Sequence, residues 1–356
     1  ISENKDDKKQ LNNLFSTVFV LSALASVVSF IILFFWSSAL SDAVFGVNEN
    51  YSYIFKVLAF LIPFMGVNGI LYSLLNGLSA YKLFSKIGLI VVVTSTLLIV
   101  FLTIKLGIIG SLIAISTIPF VQFLIYIIFS AKTYKKFIDL KDISFKLNFK
   151  NKLLSYSLMT LVVIFLVNFT DVAVRHLIED KTSKAEAGYW TAMNSISRVY
   201  MQFSAAIFPL YILPVYAKIN NSFDFRKEVV KIYNMLLPLL ITGMLVVFLL
   251  REFIIKTLYT SEFLDMASLF KWQLLGDLIK FVAIVLSYQF IAKKRIGYFI
   301  FTEVLSVLMF YGFSVYFIDI YGTDGVVIAH FVRYILFLFV VIFILRPNFI
   351  GGKRVF

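Results

Sequence analysis

The sequence predicts an all-α polytopic membrane protein with ten transmembrane helices. Hydrophobic residues make up 60% of the 356 positions, and the mean hydropathy is +0.92. Successive apolar runs reach or exceed the ~20 residues that a helix needs to cross a bilayer. The runs also lack the alternating ten-residue pattern of an outer-membrane barrel. Backbone groups in lipid must be satisfied internally, so helices are the remaining way for these segments to span.

The first ten residues, with Lys5, Asp6, Asp7, Lys8 and Lys9, read as a solvated loop and not as a signal peptide. Spans are predicted near 15 to 40, 53 to 79, 84 to 104 and 108 to 129. The stretch from Ala131 to Lys152 carries seven lysines and is the one long cytoplasmic connector, hence the predicted boundary between lobes at 131–152. Six spans follow, near 153 to 177, 187 to 212, 229 to 250, 267 to 291, 296 to 318 and 325 to 345. Residues 1–130 then form one lobe, and residues 153–356 form a six-helix lobe with a cytoplasmic tail. Pro63, Pro119, Pro209, Pro214 and Pro238 fall inside or at the ends of spans, where proline bends a membrane helix without ending it.

A pattern recurs across the two halves. Gly107, Gly110, Ile113 and Ala114 spell G-x-x-G-x-x-I-A, and Gly322, Gly325, Ile328 and Ala329 spell it again, about 215 residues later. Ala80, Lys82 and Lys86 precede the first copy, as Ala292, Lys293, Lys294 and Arg295 precede the second. The glycines are expected to let a helix start tightly and pack closely. A duplicated unit of this kind is typical of transporters with two lobes related by an axis along the membrane normal. The offset leaves the spans at 153 to 177 and 187 to 212 without partners. Their counterparts would lie upstream of Ile1, so the arithmetic predicts an N-terminally truncated product of a twelve-helix parent.

Charge placement excludes a nucleic-acid reading of the net +13. With alternating orientation, one set of loops holds 21 Lys and Arg and the other holds seven. This is the positive-inside pattern, which places both termini in the cytoplasm and makes anionic lipids the partners of the surface cations. Cysteine is absent and there are two histidines, so no disulfide, thiolate site, metal cluster or cofactor is expected.

Ionisable residues inside spans are the candidate functional groups, because a charge at mid-bilayer costs about 2.5 to 3.5 kcal/mol and faces a cavity or a partner. Arg198, Asp277, Lys280 and Arg333 lie near helix midpoints and Glu303 slightly off centre. Arg198 reads as an anion contact, its guanidinium suited to bidentate grip on pyrophosphate, or as an interhelical partner of Asp277 or Glu303. Asp277 and Lys280, three residues apart, form either an intrahelical pair or an ion carrier beside a phosphate contact. Glu303 is a coupling carboxylate or a counter-ion for Arg198 or Arg333. Arg333 adds to a basic wall or locks helices together. Asp171 and Arg175 read as an interfacial ion pair or as lining of the exit. The other half offers uncharged Asn68, Asn76 and Gln122. Tyr189, Trp190, Tyr200, Tyr211, Trp272 and Tyr288 are sugar-stacking candidates or interface aromatics.

The run Glu186-Ala-Gly-Tyr-Trp190, then Ser195-Ile-Ser197, Gln202-Phe203 and Leu213-Pro214, then Trp272-Gln-Leu-Leu-Gly276-Asp277 with Lys280, Ala292-Lys293 and Glu303, carries a resemblance. The chain resembles the Wzx-type flippases of O-antigen and enterobacterial common antigen, within the multidrug/oligosaccharidyl-lipid/polysaccharide exporter superfamily. The resemblance implies twelve helices in two lobes and a bacterial inner-membrane location. It also implies movement of an undecaprenyl-pyrophosphate-linked oligosaccharide from the cytoplasmic to the periplasmic leaflet. Alternating access between the lobes is the expected mechanism, and a polymerase and glycosyltransferases of the same pathway are candidate partners. Direction comes either from proton or sodium flux, with Asp277 and Glu303 as candidate carriers, or from downstream removal of the product. The family pattern carries over to Arg175, Asp277, Lys280 and Glu303, while Arg198 departs from it. The competing readings are a cation-coupled multidrug exporter, which would want an acidic cavity, and a membrane-embedded glycosyltransferase or polymerase, which would want long outer loops bearing catalytic groups.

Overall fold

A computed structural model describes residues 8–45, 51–77, 81–137 and 149–350. The chain divides into two compact units, Ile1–Tyr156 and Ser157–Phe356. The described residues are helical almost throughout. Among the described residues, eight helical stretches are long and apolar enough to cross a membrane.

Unit 1 contains α1 (Lys8–Phe35), α2 (Ser37–Phe45), α3 (Ser52–Gly77) and α4 (Tyr81–Phe137). α3 packs on α1 and on α4, around Leu71, Leu74, Leu75, Ile87, Ile125 and Tyr126. α4 joins two of the predicted spans across a kink at Gly107. Half of the predicted connector 131–152 lies outside the described residues; α4 continues to Phe137 and α5 (Lys150–Lys181) begins within it.

Unit 2 continues with α6 (Lys184–Ile207), a π-helical turn (Phe208–Ile212), α7 (Leu213–Lys218), α8 (Ser222–Leu249) and α9 (Arg251–Leu258). A 3₁₀ segment (Ser261–Ser268) leads into α10 (Leu269–Ala292), α11 (Ile296–Tyr321) and α12 (Thr323–Ile350). The start of α8 is fixed by Asn221, whose Oδ1 accepts from the Asp224 amide at 2.8 Å. α10 is the central helix, packed against α6, α7, α8, α11 and α12. Large apolar side chains on the outer surfaces, such as Ile104 at 77% and Phe343 at 73% exposure, are the faces that acyl chains cover.

Nine of the ten predicted spans overlap the eight apolar stretches. The predicted spans 84 to 104 and 108 to 129 are two helices that meet at the non-helical Gly107 and run as one stretch, Lys82–Ala131. The predicted span 187 to 212 is α6 plus the π-turn, and α6 has too polar a face to count as apolar. Pro209 sits in that π-turn, and a proline lacking an N–H suits a local widening of the hydrogen-bond ladder.

The duplicated glycine motif has the same geometry in both units. Gly107 has φ 60° and ψ −140°, and Gly322 has φ 59° and ψ −141°. Side chains are excluded from that region, so each helix reversal depends on glycine there. The second glycine of each copy serves a different need. A Cβ on Gly110 would lie 1.9 Å from the Leu102 carbonyl oxygen, and one on Gly325 would lie 2.2 Å from that of Phe317. Each motif is therefore a hinge glycine followed by a close-approach glycine.

Candidate functional site

A third glycine positions the site. A Cβ on Gly276 would fall 2.3 Å from Cδ2 of His330, so its absence lets α10 and α12 touch. Around that crossing, five helices of unit 2 line a half-open cavity of about 430 Å³. Each helix contributes one stripe at helical spacing. α5 supplies Asn168 and Asp171; α6 supplies Trp190, Asn194, Ser197 and Arg198; α10 supplies Gln273, Lys280 and Ile284. α11 adds Glu303, Val307 and Phe310, and α12 adds His330, Arg333 and Tyr334.

The floor is built on Asp277, which is fully buried. Its Oδ2 accepts from Ser197 Oγ at 2.5 Å, from Tyr200 hydroxyl at 2.5 Å and from Gln273 Nε2 at 3.2 Å. Its Oδ1 lies 3.0 Å from His330 Nε2. Nδ1 of the same ring is 3.3 Å from Arg333 Nη2. Arginine offers donors only, so Nδ1 must accept and the proton of the neutral ring sits on Nε2, donating to Asp277. The carboxylate thus has four donors from three helices and is closed off from the cavity.

Above this floor the walls are cationic. The Arg333 guanidinium carbon lies 4.4 Å from the Phe310 ring centroid and 4.1 Å from that of Tyr334. Lys280 Nζ lies 5.7 Å from the Tyr334 ring centroid. Arg198 Nη2 pairs with Asp171 Oδ2 at 2.7 Å. The electrostatic neighbours of Glu303 are Arg333 and Lys280. Three cationic side chains and two carboxylates therefore line one half-open cavity.

The structure brings Asp171, Arg198, Lys280, Glu303 and Arg333 to the cavity and sets Asp277 beneath it. Several expected pairings change. Asp277 bonds to His330, Ser197, Tyr200 and Gln273 and not to Lys280, because the carboxylate turns toward α6 and α12 while the ammonium three residues on turns to the Tyr334 ring. Arg198 meets neither Asp277 nor Glu303 but Asp171, across α5 and α6. Asp171 is thereby taken from Arg175, which is exposed and lies outside the cavity lining. Among the described residues Glu303 makes no ion pair at contact distance with Arg198 or Arg333.

Sequence reasoning passed over Ser197, Gln273 and His330 as site residues. Their signal was spacing: Gln273, Asp277 and Lys280 fall on one α10 stripe, and Ser197 lies one residue before Arg198. Tyr200, by sequence a stacking candidate or an interface aromatic, commits its hydroxyl to Asp277. Trp190 is 5% exposed and lines the cavity, so its ring faces the protein interior. Asn68 of unit 1 donates to the Pro119 carbonyl oxygen at 2.7 Å. The Asn76 side chain lies outside the described residues. Among the described residues no group of three or more His, Cys, Asp or Glu converges as metal ligands would.

The helix arrangement is that of known membrane transporters. It aligns with an outward-facing multidrug resistance MATE family transporter of the MOP superfamily at a TM-score of 0.73 and 15% identity, over 97% of this chain and 80% of that one. It aligns with the inward closed conformation of the lipid II flippase MurJ at a TM-score of 0.60 and 18% identity, over 95% of this chain and 74% of the other. At these identities the likeness establishes the fold. The chain belongs to the polysaccharide biosynthesis protein family, whose model matches residues 2–268. Among characterised relatives, the lipid III flippase of Escherichia coli strain K12 is 33% identical over 186 residues, covering 52% of this chain and 45% of the relative. The lipid III flippase of Shigella flexneri matches to the same extent. The chain thus spans about half the length of the curated relatives it matches.

Proposed function

We propose that this protein is a flippase for a lipid-linked oligosaccharide, moving an undecaprenyl-pyrophosphate-linked O-antigen or related repeat unit across the bacterial inner membrane. The observation that carries the reading is the half-open unit 2 cavity with Arg198, Lys280 and Arg333 in its wall. Guanidinium and ammonium groups in a low-dielectric cleft suit a diphosphate. Membership of the polysaccharide biosynthesis family and the lipid III flippase relatives support the same class. No bond is made or broken, so the work is binding and release.

In this reading two lobes rock between inward-open and outward-open states. Lys280 and Arg333 draw in the pyrophosphate, the glycan fills the wet interior beside Trp190 and Asn194, and the prenyl tail stays in lipid. Both termini face the cytoplasm. Asp277, saturated by its donors, holds the helices together. Glu303, which lines the cavity without a contact ion pair among the described residues, is the carboxylate placed to exchange a proton with cavity water.

The test is reconstitution in proteoliposomes with a fluorescent pyrophosphate-linked oligosaccharyl lipid whose leaflet is read by a membrane-impermeant quencher. Lys280→Ala is expected to slow flipping at least about tenfold, the loss of one charge-assisted contact, with unchanged membrane abundance. Normal flipping by that variant removes Lys280 from the substrate path. A cation-coupled drug exporter is the second reading, favoured by the carboxylates Asp171 and Glu303 in the cavity lining. It predicts uptake of a lipophilic cation by the same vesicles and no movement of the glycolipid.

A further inference from the structure

The two aspartates of the site are held in opposite ways. Asp277 is fully buried with four donors, whereas the Asp171–Arg198 bridge lies at the cavity surface, its side chains 25% and 65% exposed. Such a bridge adds little stability and is easily exchanged. Asp171 also lines the same cavity as Lys280 and Arg333.

We propose that Asp171 is a tethered stand-in for the substrate's anion: it occupies Arg198 while the cavity is empty, and a diphosphate displaces it. The proposal rests on the reading of the cavity as an anion site and adds a rule of selection. A singly charged anion offers Arg198 no more than Asp171 already does. A diphosphate brings several charges and can engage Arg198 together with Lys280 and Arg333, so it wins the exchange. On release the carboxylate returns to Arg198, and the cation is never left without a partner to hold product back.

The experiment is calorimetric titration of the purified chain in nanodiscs with inorganic pyrophosphate, and separately with inorganic phosphate. Asp171→Asn removes the competing charge and is expected to tighten pyrophosphate binding by about tenfold to a hundredfold, the scale of one charge-assisted bond. It is expected to narrow the preference over phosphate while slowing glycolipid release. Arg198 is largely exposed, so the unpaired cation stays solvated and the variant should fold; Asp171→Ser repeats the test if the amide disturbs packing. Glu303→Gln removes the other lining carboxylate and is expected to tighten binding less. The double variant Asp171→Ala with Arg198→Ala should show no tightening. Unchanged affinity in Asp171→Asn, or equal tightening in Glu303→Gln, overturns the stand-in role. If pyrophosphate binding is lost in Lys280→Ala and Arg198→Ala while Asp171→Asn behaves as wild type, the anion cavity stands and the stand-in alone fails. If neither wild type nor Asp171→Asn takes up pyrophosphate, the anion reading fails as well.

Discussion

Unit 1 and unit 2 each turn between consecutive helices through the same pair of glycines, with backbone angles that agree to within a degree. Their interiors differ. Among the described residues of unit 1 the buried polar side chains are Ser, Thr and Asn, whereas unit 2 buries Asp277, His330 and Gln273 together. The glycine hinge is a backbone solution to reversing a membrane helix, and it repeats wherever the reversal repeats. The charged floor requires something the hinge does not supply, a crossing close enough for α12 to deliver His330 to α10. Gly276 supplies that crossing.

The largest expected effect tests the floor. Asp277→Ala strips one acceptor from four donors, and buried donors left unsatisfied cost about 1–3 kcal/mol each. With partial relaxation the loss should be about 3–5 kcal/mol, comparable to breaking a buried pair. Thermal unfolding in detergent and membrane abundance should both fall. An unchanged melting midpoint would show that Asp277 is not structural, and would return it to the ion-carrier role.

Next come the hinges. Gly107→Ala and Gly322→Ala each force a Cβ into a strained region, at about 1–3 kcal/mol. The comparison between units predicts nearly equal losses at the two positions. A loss confined to one unit would mean that the shared geometry is not a shared constraint.

Much of this was legible beforehand. Helix class, the glycine repeat and most of the charged candidates follow from hydropathy, spacing and the cost of charge in lipid. The partners of those charges were not. Asp277 and Lys280 are three apart on one helix, which reads as a pair, and yet rotamers send them to different neighbours. Arg198 finds Asp171 on α5, a contact set by the packing of two helices that no periodicity encodes. The span 187 to 212 has the length of a crossing helix, and its polar face is legible in the sequence as Asn194, Ser197, Arg198 and Gln202.

Gly276→Ala follows, at about 1–3 kcal/mol for overpacking a tight contact. Gly243 is the internal control: it lies inside α8 with nothing within 4 Å of an added Cβ. Alanine there should be neutral or stabilising by about 0.5–1 kcal/mol. Gly276→Ala should also push His330 off Asp277, so glycolipid flipping should fall along with the melting midpoint. Normal flipping with a normal midpoint would show that α12 can retreat without loss.

The smallest effect bears most directly on the difference between the units. Asn68 in α3 donates to the Pro119 carbonyl oxygen of α4 at 2.7 Å, and its own Oδ1 is buried without a partner. Asn68→Leu therefore removes one hydrogen bond and one unsatisfied oxygen together. The donor is worth about 1 kcal/mol net, and relief of the orphan oxygen offsets part of that, so the melting midpoint should move by a degree or two at most. Activity is the informative readout. If unit 1 contributes packing and unit 2 the substrate contacts, flipping by Asn68→Leu should stay within about twofold of wild type, since no transition between states loses a charge-assisted contact. A large loss of flipping with an unchanged midpoint would place a polar substrate contact in unit 1. The contrast drawn from buried charge would then describe only where the charges are, and not where the glycolipid is held.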